Sequence, residues 1–224
     1  MPRVPKAHNA SGSDDATRDR LLHEAERLFM AHGFAAISTR QICEAARVTQ
    51  PSLYHYFNSK EGLYLAVVER WFERVRQGID QAIADGANLR DQLHRVALLF
   101  WAGVAGEYQA MQRDAMTHIP AEHRHTLGLT VLRSVVEPLI TLMRHGIAQG
   151  TLPQIDPFIL TEMFWAVVDG IGGIYMRGDP IPPPTQNMAA IDFFLAGVQG
   201  IDPAAFANWP QPGDQFALFF ADER

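Results

Sequence analysis

Between residues 37 and 65 the chain reads ISTRQICEAARVTQPSLYHYFNSKEGLYL, and its chemistry gathers in one short stretch. Thr49, Gln50, Ser52, Tyr54, His55 and Tyr56 crowd small polar and aromatic groups together, while Leu53 and Phe57, four apart, can share an inward face. Glutamine and serine hydrogen-bond base edges; threonine, tyrosine and the free N–H groups of a helix start hold phosphate oxygens. A short helix presenting this set suits a major groove. On pattern alone, a helical hairpin with a polar outer face reads the same way.

The elements that must position these groups are legible around them. Ser38 with Gln41 fits a capping box, and Ile42, Ala45 and Ala46 mark one apolar face of a short helix. Arg47-Val48 forms the turn, Thr49 is the second N-cap, and Pro51 falls in the first turn, where its missing N–H removes no ladder bond. Upstream, Leu21, Ala25, Leu28, Phe29 and His32 repeat at helical spacing from about residue 14 up to Gly33. Downstream, a helix capped at Asn58-Ser59, with Glu61 completing a box, extends to about residue 84 with Leu63, Val67, Trp71 and Val75 every fourth position.

Charge follows the same division. The chain of 224 residues carries a net charge of −6, but residues 1–60 hold eight Lys and Arg against six Asp and Glu, leaving −8 on the remainder. A basic N-terminal part on an acidic chain is an electrostatic footprint for a polyanion. The single cysteine, Cys43, excludes a disulfide framework and a cysteine metal site and reads as a small buried thiol rather than a redox switch. No apolar leader and no run of about 20 apolar residues occurs, so the expectation is a cytoplasmic protein without a membrane partner. His118, His123 and His125 match no zinc spacing, and Gly170-Ile171-Gly172-Gly173 follows no strand, so neither a metal nor a nucleotide loop is expected. Without a nucleophile–base signature or phosphate loop, neither enzyme activity nor a cofactor is expected.

Beyond Leu89 every pattern stays helical. One helix is expected over residues 89–116, a second over 122–149 divided or kinked by Pro138, a third from Asp156-Pro157 to about 177 and a last over 186–199. Trp101, Glu107, Tyr108, Met111, Phe164, Trp165 and Asp169 are candidates for a ligand pocket, although bulky groups at helical spacing also build ordinary cores. The carboxylates among apolar neighbours, Glu107, Glu162 and Asp169, either face solvent, pair with arginines or meet a cation. Ala166, Gly170 and Gly173, with Phe193, Phe194 and Val198, are candidates for a helix–helix interface between two copies. The apolar cluster Phe216, Leu218, Phe219 and Phe220 is expected to pack on the body or a partner.

The pieces TRDRLLHEAERLFMAHGF, STRQICEAARV and TQPSLYHYFNSKEGLYLAVVERW resemble the N-terminal DNA-binding domain of the tetracycline-repressor (TetR) family, over residues 17–71. Residues 1–13, polar and rich in Pro, Ser and Gly, are expected to be a disordered tail; the resemblance implies an all-α chain with a three-helix helix-turn-helix domain at 14–60, a helical ligand-binding and dimerisation domain at 61–200 and an extension at 201–224 past the usual end of the family domain. It implies DNA contacts from Ser38, Thr39, Arg40, Arg47, Thr49, Gln50, Pro51, Ser52, Tyr54, His55, Tyr56 and Lys60. It further implies a homodimer on a pseudo-palindromic double-stranded operator, released or retained by a small-molecule effector and acting most often as a repressor. Arg47 departs from the glycine usual at that turn; a side chain held in the left-handed region there costs about 1–2 kcal/mol. Arg47 is thus either a phosphate contact or a tolerated strain.

Overall fold

The computed structural model describes residues 10–104, 111, 113–114, 117–175 and 184–200. Among them every regular element is helical: α1 Ala10–His32, α2 Thr39–Ala46, α3 Gln50–Phe57, α4 Lys60–Ala84, α5 Leu89–Leu99, a π-helical turn Phe100–Val104, α6 Ala121–Val131, a second π-helical turn Leu132–Val136, α7 Glu137–Ala148, α8 Pro157–Tyr175 and α9 Pro184–Gln199. Residues 201–224, including the Phe216–Phe220 cluster, lie outside the described residues, as do the linker at 179–183 and the pocket candidates Glu107 and Tyr108.

The chain forms two compact units. The first holds residues 1–74 with 106–131, the second residues 75–105 with 132–224. In the first unit, Leu21, Leu22, Ala25 and Phe29 of α1 meet Ile42, Cys43 and Ala46 of α2 and Leu53 and Phe57 of α3, while Leu63, Tyr64, Val67, Val68 and Trp71 of α4 are buried. Phe34 and Ile37, in the connection between α1 and α2, are buried with them. Phe34 sits edge-on to Tyr64 at 5.0 Å and tilted against Phe29 at 5.7 Å. The later stretch of this unit is tied to the same place. The Asp114 carboxylate accepts the Phe34 N–H at 2.8 Å, and the His118 ring stacks on Phe34 at 5.4 Å. The Tyr64 hydroxyl donates to the Met111 carbonyl at 3.2 Å, and burial together with the nearby Asp114 charge pushes the phenol well above its ordinary pKa. Among the described residues no cluster of His, Cys, Asp and Glu could hold a metal ion.

The second unit packs α5, α7, α8 and α9 around Leu93, Val96, Leu139, Met143, Leu160, Phe164, Val168, Ile191 and Val198. Arg90 of α5 makes a two-pronged pair with Asp192 of α9, both bonds at 2.6 Å, and His94, almost fully buried, sets its Nε2 3.0 Å from the same carboxylate.

Three boundaries differ from the sequence reading, each for a local reason. Helix α1 starts at Ala10, four residues inside the stretch expected as a tail. The cap of α4 is Ser59, whose hydroxyl accepts the Gly62 N–H at 3.0 Å; Asn58 instead ends α3 at φ 60°, donating its N–H to the Tyr54 carbonyl. The helix expected from Leu89 changes to a π turn at Phe100. The helix expected over 122–149 is interrupted, as Pro138 implied, by the π turn Leu132–Val136, and Pro138 falls in the first turn of α7, where its missing N–H removes no ladder bond. From His123 to Ala148 this run is long and apolar enough, by length and composition alone, to cross a bilayer, and a third of its apolar window is buried, with Leu139, Leu142 and Met143 inside the second unit.

Candidate nucleic-acid interface

Local interactions build the α2–α3 hairpin almost entirely. The Ser38 hydroxyl accepts the Gln41 N–H at 3.3 Å and the Gln41 side chain accepts the Ser38 N–H at 2.8 Å, so both halves of the capping box are made. Nine residues after Ser38, Arg47 closes α2 at φ 55°, ψ 47°, with its N–H shared between the Cys43 and Glu44 carbonyls. A single left-handed residue at this point reverses the chain and delivers Thr49 to the start of α3. Thr49 takes extended geometry and caps by position, but its hydroxyl pairs with the Ser52 hydroxyl at 2.9 Å instead of a backbone N–H. Pro51 occupies the first turn of α3.

Burial then sorts the faces of α3. Leu53 and Phe57 are buried, Phe57 beneath the Arg18 guanidinium at 5.5 Å. Thr49, Gln50, Pro51, Tyr54 and His55 are exposed, Tyr54 by 46%. Ser52 and Tyr56 are half-buried. The Tyr56 hydroxyl donates to the Asp14 carboxylate, which raises the phenol pKa and ties α3 to the first turns of α1.

The cations stand differently from one another. Arg40 pairs with Glu44 along α2 at 2.9 Å, and Ser38 and Arg40 are exposed while Thr39 is half-buried. Arg47 is exposed, and no ion pair of its side chain occurs among the described residues. Lys60, at the first position of α4, donates to the Phe34 carbonyl at 2.6 Å with its nitrogen 4.1 Å from the Phe34 ring centre. Burial lowers its pKa. In the free chain Lys60 is therefore a strut between α4 and the connection after α1. The Cys43 thiol is buried and pushed up in pKa, which keeps it in the unreactive protonated form.

Gly62 was not singled out by the sequence reading. A Cβ built on it would lie 2.1 Å from the Phe57 carbonyl oxygen, so the end of α3 and the start of α4 approach as closely as they do only with glycine there. The available signal was a glycine in the first turn of a helix, where alanine is favoured by about 1 kcal/mol.

The other candidate residues separate between the units. Met111 is buried in the first. In the second, Trp101 donates its indole N–H to the Val168 carbonyl at 3.0 Å, Phe164 is fully buried, and Trp165 lies edge-on to Phe100 at 4.4 Å. The Glu162 and Asp169 carboxyls both sit above their ordinary pKa through burial, Glu162 also through the charge of Asp169. Of the interface candidates, Ala166, Gly170 and Phe193 are exposed, Phe193 by 81%. Phe194 and Val198 turn inward, Phe194 against Phe164 at 6.1 Å. One residue along a helix is a rotation of about 100°, so Phe193 and Phe194 cannot share a face. The helix α8 includes Gly173, whose surroundings lie outside the described residues.

Residues 21–67 match the family of bacterial regulatory proteins, tetR family. The chain is 27% identical over 149 residues to the transcriptional repressor KstR2 of Rhodococcus jostii, covering 66% of this chain and 72% of that protein. It is 26% identical over 202 residues to the transcriptional regulator AcuR of Cereibacter sphaeroides, covering 84% and 91%. A TetR-family protein structure from Vibrio parahaemolyticus superposes with a TM-score of 0.67 at 21% identity, over 81% of this chain and 98% of that one. The exposed polar and aromatic face of α3, held by the caps of α2 and α4, is the part of the fold that the family match covers. Residues 21–67 thus carry the DNA-binding domain of the tetR family of bacterial regulatory proteins, and the relatives that extend beyond it are transcriptional regulators.

Proposed function

We propose that the protein is a dimeric, ligand-responsive repressor of the cytoplasm that reads a pseudo-palindromic operator with α3 in successive major grooves. One observation carries the DNA reading: α3 buries Leu53 and Phe57 while Thr49, Gln50, Pro51, Tyr54 and His55 stay in water. Gln50 and Tyr54 lie one turn apart and are the base-edge and backbone contacts of choice. Ser38, Thr39, Arg40 and Arg47 supply phosphate contacts around them, and the half-buried Ser52 and Tyr56 support the edge of the same face. Lys60 retains two N–H donors for phosphate beyond its bond to Phe34.

A single short helix reads too few base pairs for a unique site, and a dimer places two of them about 34–36 Å apart. The exposed stripe Ala189, Phe193, Ala196 and Gly197 on α9, with Ala166 and Gly170 on α8, supports pairing of copies through these helices. Its small residues permit close approach and Phe193 supplies apolar area. The effector is assigned to the second unit, where Trp101, Phe164, Trp165 and Asp169 lie. It releases or retains DNA only through different affinities for the two states.

Selection of bound duplexes from a random pool, followed by sedimentation of the complex, tests the proposal. The expected result is a pseudo-palindrome bound by a whole number of dimers and lost on Tyr54→Ala. Binding of an asymmetric site by a monomer refutes the dimeric reading.

A further inference from the structure

Trp101 and Trp165 stand side by side in the chemistry of the second unit but not in their bonding. The Trp101 indole N–H is satisfied by the Val168 carbonyl at 3.0 Å. The Trp165 indole nitrogen is buried and has no hydrogen-bond partner among the described residues. An indole offers one donor and nothing else. Buried away from water without an acceptor, that donor is a loss folded proteins seldom accept, and such groups mark places completed by something else. Among the described residues its ring packs on apolar neighbours: Phe100 edge-on at 4.4 Å and Phe164 edge-on at 5.6 Å. Phe100 opens a π-helical turn, an irregularity frequent at functional sites.

The charge around this donor narrows the chemistry. Glu162 and Asp169 lie three positions before and four after Trp165 on α8, on the same side of the helix. Ionised, both repel an anion that approaches the indole.

We infer that the Trp165 indole N–H is the hydrogen-bond anchor of an effector site in the second unit, for an uncharged, apolar molecule carrying a carbonyl or hydroxyl oxygen. This rests on reading that unit as effector-binding. The body of the molecule packs against Phe100 and Phe164, its oxygen accepts from Trp165, and an anionic analogue of the same size is excluded by the two carboxylates.

Three probes of similar size separate the contributions in the full-length protein: acetophenone, which has an acceptor; ethylbenzene, which has none; and benzoate, which is anionic. With indole-¹⁵N-labelled protein, the Trp165 resonance is identified among the four tryptophans by its loss in Trp165→Phe. The expected result is a saturable downfield shift of that resonance with acetophenone, binding about three- to tenfold tighter than ethylbenzene, and still weaker binding of benzoate. In Trp165→Phe, which keeps a ring on Phe100, the preference for acetophenone over ethylbenzene falls to about one, whereas Trp101→Phe retains it. A Trp165 resonance that no probe shifts saturably, or a preference that survives Trp165→Phe, overturns the assignment. Operator affinity measured in the same samples tests the underlying reading separately: a Trp165 shift with no change in DNA binding leaves the donor site standing and removes its role as a sensor.

Discussion

Replacing Arg47 by glycine sets two effects against each other whose sizes follow from the structure. Arg47 holds φ 55° and ψ 47° at the end of α2, where its N–H bonds to the Cys43 and Glu44 carbonyls through the backbone alone. A side chain in that region costs about 1–2 kcal/mol, which glycine relieves. Glycine also frees the unfolded chain, which takes back about 0.5–1 kcal/mol. Both cap hydrogen bonds survive, so Arg47→Gly is expected to stabilise the protein by about 0.5–1 kcal/mol. Operator binding moves the other way. Loss of one phosphate contact lowers the salt slope of log K by about one per protomer, hence about two per dimer. Urea unfolding at fixed protein concentration gives the first number, since the proposed dimerisation would couple to stability; fluorescence anisotropy of labelled operator across a salt series gives the second. Arg47→Ala separates them further, because it keeps the left-handed strain and removes the guanidinium: stability stays near wild type while the slope falls. An Arg47→Gly protein less stable than wild type refutes the strain argument. An unchanged slope in both variants shows that the arginine is tolerated strain and no contact.

Gly62→Ala places a methyl 2.1 Å from the Phe57 carbonyl oxygen, more than about 1 Å inside normal contact. The turn between α3 and α4 must open, costing about 1–3 kcal/mol despite alanine's better helix propensity, and operator affinity falls with it; thermal unfolding and anisotropy both at wild-type values contradict this. Tyr54→Ala is expected to weaken operator binding at unchanged stability, since the ring is exposed. Lys60→Ala should lower the salt slope and also cost about 1–2 kcal/mol through loss of its bond to Phe34, and stability equal to wild type would remove the strut. Glu162 and Asp169 carry carboxyls raised in pKa by partial desolvation, so their ionised forms are less favourable in the native state than in the unfolded chain. Their contribution to stability is complete below the unfolded pKa and lost as pH rises through the folded one. Glu162→Gln and Asp169→Asn should therefore raise Tm near neutral pH, with the gain vanishing near about pH 4; a gain that persists or grows in acid reverses the sign of the argument.

The helix-turn-helix was readable before any coordinates because its determinants are local. A capping box joins Ser38 to Gln41, Pro51 fits only a first turn, and Leu53 and Phe57 share a face because they stand four apart. Each of these acts within about one turn of helix, so the residue types alone carry the information. Even the conflict at Arg47 was legible as a condition on its backbone, and the left-handed geometry meets that condition.

What the tertiary structure decided lies between residues far apart in the chain. Lys60 reads as a phosphate contact alone until Phe34, 26 residues earlier, is seen to accept one of its three N–H donors; Tyr56 reads as free until Asp14, 42 residues earlier, accepts its hydroxyl. Asp114 bonds Phe34 across 80 residues, a link no spacing announces. In α9 the adjacent phenylalanines and Leu195 give no period, so only packing against Phe164 determined that Phe194 goes in and Phe193 stays out. Likewise, nothing in the sequence distinguishes two tryptophans on apolar helices. The Val168 carbonyl is within reach of Trp101, while Trp165 has no acceptor among the described residues, and that difference exists only once the helices are side by side.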